Sequence, residues 1–195
     1  MVVCTGNICR SPFAAQLLGD RLEQAGVDAS VWSAGTHAMV GYPMPPEAAA
    51  LSRRAGLDPD AHQGQQLTPT MVDLADVVLT ASREHRAAVV KMLPRASRRT
   101  FTLREFARIA EWVAADSASP GGPPAPADPA ALIEEVASSR GLATPAARPD
   151  DDDIIDPYRR APEVYAEAER LITQAVDTVA RAFAAASAPG GGGAA

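Results

Sequence analysis

Four short strand candidates punctuate the chain up to position 103, and a helix-forming stretch follows each of them. The runs are MVV at 1–3, VWSAG at 31–35, ADVVLTA at 75–81 and RRTFTL at 98–103. A strand, a helix and a second strand in succession close most simply as a βαβ unit with parallel strands. Parallel sheets need helices on both faces. The alternation therefore predicts an α/β fold, a three-layer α/β/α sandwich with a central four-stranded parallel sheet. Ligands bind such sheets at the carboxyl ends of the strands.

The helices carry their own punctuation. Ser11 is expected to cap the first one with Pro12 at its first position, and Ala14, Leu18, Leu22 and Ala25 repeat at helical spacing before Gly26. PEAAALSRRAG at 46–56 reads as a second helix. A short one starts from Thr68, and REHRAAVVKML at 83–93 is stopped by Pro94. REFARIAEWVAA follows the fourth strand. In the closing helix Tyr165, Ala168, Ile172, Val176, Val179 and Phe183 mark a buried stripe.

Between the last two helices the texture changes. DSASPGGPPAPAD at 116–128 reads as a connector, DPAALIEEVASSRG as a short helix capped by Asp128, and ATPAARPDDDD as loop, with Asp150 to Asp153 a solvated charge run. The expectation is a single domain over 1–187, with 112–150 a flexible insertion and 188–195 a disordered tail.

A net charge of -6 argues against a broad nucleic-acid-binding surface, and no apolar run reaches the roughly 18 residues of a membrane span. Two cysteines, Cys4 and Cys9, are too few for a disulfide framework, and no secretory signal is evident, so a cytoplasmic location is expected. A monomer or weak dimer is expected.

VCTGNICRSP at 3–12 joins the first strand to the first helix. Cys4 within it could be a buried filler, a metal ligand, half of a disulfide or a nucleophile. The setting favours the last. Backbone N–H groups at a helix start lack internal partners, and the helix dipole attracts negative charge. Gly6 lets the chain curl into a concave nest, Asn7 tolerates left-handed dihedrals, and Arg10 offers a planar fork for phosphate oxygens. A thiol at the rim of such a nest is favoured as thiolate, and Ser11 could hydrogen-bond to it. A nucleophile then lies beneath a bound tetrahedral anion.

The full string VCTGNICRSP resembles the phosphate-binding loop of the low-molecular-weight protein tyrosine phosphatase family, in its bacterial form. SAGT at 33–36, GLDPDAHQGQQLT at 56–68, ADVVLTASREHR and DIIDPYRRAPEVY extend the likeness over 1 to about 109 and 153 to about 185. The resemblance implies Cys4 as nucleophile and Arg10 as phosphate binder. Thr5, Gly6, Asn7, Ile8 and Cys9 would hold the phosphate through their backbone amides, together with that of Arg10. It implies Asp156 as proton donor to the leaving phenolate, and then as base for water. Asn7, Ser11, Ser33 and His62 would support the loop, and Tyr158 would wall the substrate slot. Cys9 would trap an oxidised Cys4 as a reversible disulfide. No cofactor and no metal are implied. The implied substrate is a phosphotyrosine-bearing protein or a small aryl phosphate.

The chain departs from the family's pattern in places. MVV is short for a central strand, so the true start is expected upstream of Met1. SAGTHAMVG has no tryptophan at the slot wall, VLTASREH lacks an acidic residue carried by some members, and DPYRR lacks a second tyrosine. Two other functions compete. One is an arsenate reductase of the same fold, which would need relay cysteines absent after Cys9. The other is a non-catalytic phosphotyrosine- or anion-binding module.

Overall fold

Four strands, β1 (Val2–Cys4), β2 (Ser33–Gly35), β3 (Val78–Thr80) and β4 (Thr100–Thr102), pair in parallel in the order β2-β1-β3-β4. The computed structural model describes residues 1–188, so the expected tail lies outside the described residues apart from Ala188. Seven α-helices accompany the sheet among those residues: α1 (Arg10–Gln24), α2 (Pro46–Arg54), α3 (Pro69–Leu74), α4 (Arg83–Met92), α5 (Leu103–Ser117), α6 (Pro129–Ser138) and α7 (Pro162–Ser187).

Alternation along the strands sorts the two faces. Val2, Leu79 and Phe101 share one row of the register and pack with α1, α5 and α7. Val3, Ala34 and Val78 point the other way, onto Val72 of α3 and Val89 of α4. The predicted three-layer α/β/α sandwich is therefore present. Tyr165, Ala168, Ile172, Val176, Val179 and Phe183 of α7 are all buried, as their spacing predicts. No helix among the described residues is long and apolar enough to cross a membrane.

Two boundaries differ from the sequence reading. Helix α1 begins at Arg10, with Cys9 as a cap that makes no side-chain bond. Ser11 thus lies inside the helix, because its hydroxyl is drawn to the loop behind it. RRTFTL yields a strand only at 100–102, since Pro94–Arg99 wind into a 3-10 turn. Within 112–150 the expected short helix capped by Asp128 is present as α6, and its Leu132, Ile133 and Val136 are buried against the helical layer beside the end of α5. Past α6, Arg140 stacks over the Phe101 ring at 4.1 Å and donates to Glu105 Oε1 at 2.9 Å and to the Thr100 carbonyl at 2.8 Å. This stretch is joined to the common core at both points.

The strand order reverses at β1, which leads to β2 on one side and neighbours β3 on the other. A crevice opens at such a switch point, above the carboxyl ends of the strands. The Thr5–Cys9 loop lies in it. Gly35 lets this loop approach β2, since a Cβ there would run into the Thr5 carbonyl.

Candidate active site

The loop after β1 turns its carbonyls outward. Those of Cys4, Thr5 and Gly6 accept from the N–H groups of Thr36, His37 and Met39 at 2.9, 3.0 and 2.9 Å. The Asn7 carbonyl accepts from His62 Nε2 at 2.6 Å. The N–H groups of Thr5, Gly6, Asn7, Ile8, Cys9 and Arg10 find no acceptor among the described residues. Buried backbone N–H groups are seldom left unpaired. Six in succession at the start of a helix make the kind of concavity that favours an anion.

Asn7 holds the turn. It adopts φ 55°, which few side chains tolerate. Its Nδ2 donates to Ser11 Oγ at 2.9 Å and to Ser33 Oγ at 2.8 Å, and its Oδ1 accepts from the Gln65 N–H at 2.9 Å. Every polar position of this amide is used. Because Ser11 Oγ accepts from Asn7, the serine's own hydrogen is free for Cys4 Sγ, 2.9 Å away. Asn7, Ser11, Ser33 and His62 are thus brought together behind the loop.

A cleft of about 180 Å³ opens over this nest, lined by Cys4, Thr5, Gly6, Ile8, Cys9 and Arg10. His37 and Met39 from the loop after β2 form one wall, and Asp156 and Tyr158 the other. Arg10 Nη2 pairs with Asp156 Oδ2 at 3.0 Å, and Arg10 Nη1 donates to the Ile154 carbonyl at 3.0 Å. Cys4, Arg10, Asp156 and Tyr158 therefore border one space, although about 150 residues separate the first from the last.

The segment carrying Asp156 is tied down on several sides. The Ile154 N–H donates to the Ala81 carbonyl, just past β3, at 2.8 Å. Asp153 takes the Arg83 backbone N–H at 2.7 Å and its guanidinium at 2.9 Å. Asp152 pairs with Arg108 at 2.9 Å, and Asp151 with Arg148 at 2.9 Å. These aspartates were expected to be a solvated run; three of the four are instead paired with arginines brought to them by α4, α5 and the preceding loop. Elsewhere on the surface Arg95 and Arg99 pair with Asp73, and Arg98 with Glu134.

Two groups near the nest escaped the sequence reading. His85 is buried at the start of α4, with Nε2 2.8 Å from Thr5 Oγ1 and Nδ1 2.7 Å from Ser82 Oγ. Burial, helped by the Arg10 charge, lowers its pKa to about 4, so the ring is neutral near pH 7. The available signal was SREH, a helix-capping serine three residues before a histidine at a strand's carboxyl end. Gln65 was the other: besides its bond to Asn7, its Nε2 donates to the Ser33 carbonyl at 2.8 Å. Burial lowers the pKa of His62 as well. Cys9 is a buried free thiol, and burial with the nearby Cys4 and Asp156 charges pushes it up to about 12. It lies beside Tyr165 in the interior.

The fold and site define a class: a doubly wound parallel α/β sheet with a cysteine-bearing loop at its switch point. The family model described as low molecular weight phosphotyrosine protein phosphatase matches residues 1–136, and the chain belongs to that family. It is 39% identical over 106 residues to a probable low molecular weight protein-tyrosine-phosphatase, EpsP, of Ralstonia solanacearum, covering 54% of this chain and 70% of that one. A protein-arginine-phosphatase of Geobacillus stearothermophilus is 38% identical over 106 residues, covering 54% and 69%. Among solved structures, Vibrio vulnificus Wzb in complex with benzylphosphonate aligns with a TM-score of 0.63 and 26% identity, over 92% of this chain and 94% of that one.

Proposed function

We propose that this chain hydrolyses aryl phosphate monoesters, phosphotyrosine in proteins first among them, through a phospho-cysteine intermediate on Cys4. The observation that carries the reading is the run of six acceptorless N–H groups, Thr5 to Arg10, around the Cys4 thiol. Those amides and the Arg10 guanidinium take the three non-bridging oxygens and the charge that builds on them in transfer. The Ser11 hydroxyl, 2.9 Å from the sulfur, stabilises the thiolate.

The thiolate attacks phosphorus, the bond to the aryl oxygen breaks, and Asp156 gives its proton to the departing phenolate. Water then attacks phosphorus while the Asp156 carboxylate takes a proton from it. The S–P bond breaks, inorganic phosphate leaves, and the Cys4 thiolate is restored. A dianionic ester also competes with Asp156 for Arg10.

Ile8, Met39 and Tyr158 give the cleft apolar walls suited to a flat ring. A reducing, cytoplasmic setting fits this reading, because the attack needs Cys4 as a free thiolate. The test is hydrolysis of para-nitrophenyl phosphate and a phosphotyrosine peptide, with a phosphoarginine peptide alongside. Both aryl substrates turn over, Cys4→Ser abolishes turnover, and Asp156→Ala slows it about 100-fold or more. Protein that binds phosphate but turns over neither ester refutes the enzyme reading, and preference for phosphoarginine refutes the aryl assignment.

A further inference from the structure

We propose that Asp153 and Asp152, held by Arg83 and Arg108, are positioning residues that set the height and direction of Asp156 over the nest. This rests on the reading of Asp156 as proton donor.

Asp156 itself is 54% exposed, and among the described residues its ion pair is to Arg10 alone. That pair opens whenever a phosphate takes the guanidinium, so it cannot hold the acid in place during the reaction. Something else must. The residues just before Asp156 supply it. Asp153 sits at the N-terminus of α4, where it accepts the Arg83 N–H at 2.7 Å and pairs with the Arg83 side chain at 2.9 Å. A carboxylate there also meets the positive end of the helix dipole. The Asp153 carbonyl accepts from Arg104 Nη1 at 3.2 Å, and Asp152 takes a two-pronged contact from Arg108 Nε and Nη2 at 3.3 and 2.9 Å.

These contacts tie the strap to α4 and α5 three and four residues ahead of the acid. Between them and Asp156, the Ile154 N–H is bonded to Ala81 and its side chain is buried. Ile155 is exposed. The anchoring groups touch neither the cleft nor Arg10, so their work is mechanical. A proton donor misplaced by about 1 Å can lose a factor near 100.

Leaving-group dependence separates this role from general destabilisation. Phenyl phosphate needs the proton as its bond breaks, whereas 2,4-dinitrophenyl phosphate releases a stable dinitrophenolate anion without it. The value of kcat/KM is measured for both esters in the wild type, Asp153→Ala, Arg108→Ala, Arg83→Ala and Asp156→Ala. An exposed pair on α7, broken by Arg170→Ala, is the control. The inhibition constant for inorganic phosphate checks the nest, and thermal melting checks the fold.

The expected result is a loss of about tenfold on phenyl phosphate in Asp153→Ala and Arg108→Ala, with about twofold or less on the dinitrophenyl ester. Arg83→Ala loses less than Asp153→Ala, because the backbone N–H of residue 83 still holds Asp153. Should Asp153→Ala fail to fold, Arg108→Ala carries the same test. Equal losses on both esters, or none, overturn the proposal if Asp156→Ala shows the selective loss. If Asp156→Ala shows no selectivity, the acid reading falls and takes the positioning role with it.

Discussion

Arg10 Nη2 lies 3.0 Å from Asp156 Oδ2, the arginine 7% exposed and the aspartate 54%. The buried partner is fixed and the exposed one is free to change company. Asparagine at 156 keeps the shape but has no acidic proton to give. Asp156→Asn is therefore expected to lower kcat/KM for phenyl phosphate about 100-fold or more. Inorganic phosphate should inhibit the variant at equal or lower concentration, since no carboxylate contends for Arg10. Competitive inhibition measured on both proteins checks this, and weaker inhibition of the variant would contradict the competition.

Asn7 is the joint on which the nest turns. Its amide makes three side-chain bonds while its backbone holds φ 55°. Alanine leaves Ser11, Ser33 and the Gln65 N–H short of a partner and finds the left-handed backbone costly. Asn7→Ala is expected to destabilise the protein by about 3 kcal/mol in urea unfolding. Asn7→Gly removes only the backbone cost and recovers about 1 kcal/mol. Equal stability of the two variants would show that the dihedral contributes nothing.

The legible parts of this molecule are those whose cause is local. The strand runs, the proline starts at Pro46, Pro69, Pro129 and Pro162, and the Asp128 cap all act within a turn or two of themselves. The loop 3–12 could be read as one unit for the same reason, since its cysteines, glycine, asparagine and arginine follow one another in the chain. What stayed hidden was pairing at a distance. Asp153 meets Arg83 across 70 positions, and His85 meets Thr5 across 80. A run of aspartates carries no mark of which arginines the fold will bring to it. Ser11 was read both as a cap and as a partner of Cys4; only the second holds, because its hydroxyl is engaged by Cys4 and Asn7 and the helix starts one residue earlier.

His85 gives the fold a sensitivity to acid. Ser82 Oγ accepts the His85 N–H and can donate its own hydrogen to Nδ1, leaving Nε2–H for Thr5. Protonation forces a second donor onto Ser82 and adds a charge where burial and Arg10 oppose it, with Asp153 and Asp156 offsetting in part and His37 adding to the opposition. The folded pKa near 4 lies below the ordinary 6.5 of the unfolded chain, so the unfolded state binds more protons between them. The contribution is fully present above pH 6.5 and is lost as pH falls towards 4. Its size is on the order of 2 kcal/mol after allowing for partial solvent access. His85→Gln should flatten the slope of unfolding free energy against pH over that window, and an unchanged slope would assign it to other groups.

The two cysteines stand five residues apart in sequence and are expected to differ widely in reactivity. Cys9 is turned into the protein against Tyr165, and burial with the nearby Cys4 and Asp156 charges pushes its thiol up to about 12. At pH 8 a fraction of about one in ten thousand of it is thiolate, the form that alkylates. Cys4 lines the cleft with the Ser11 hydroxyl at its sulfur and the acceptorless amides around it. Iodoacetate is itself an anion and is drawn to that nest. A single carboxymethyl adduct on Cys4 is expected by intact mass and peptide mapping, slowed by inorganic phosphate and absent in Cys4→Ser. An adduct on Cys9 in the folded protein, or equal labelling of Cys4→Ser, would show that the two environments do not differ as their burial and charge require.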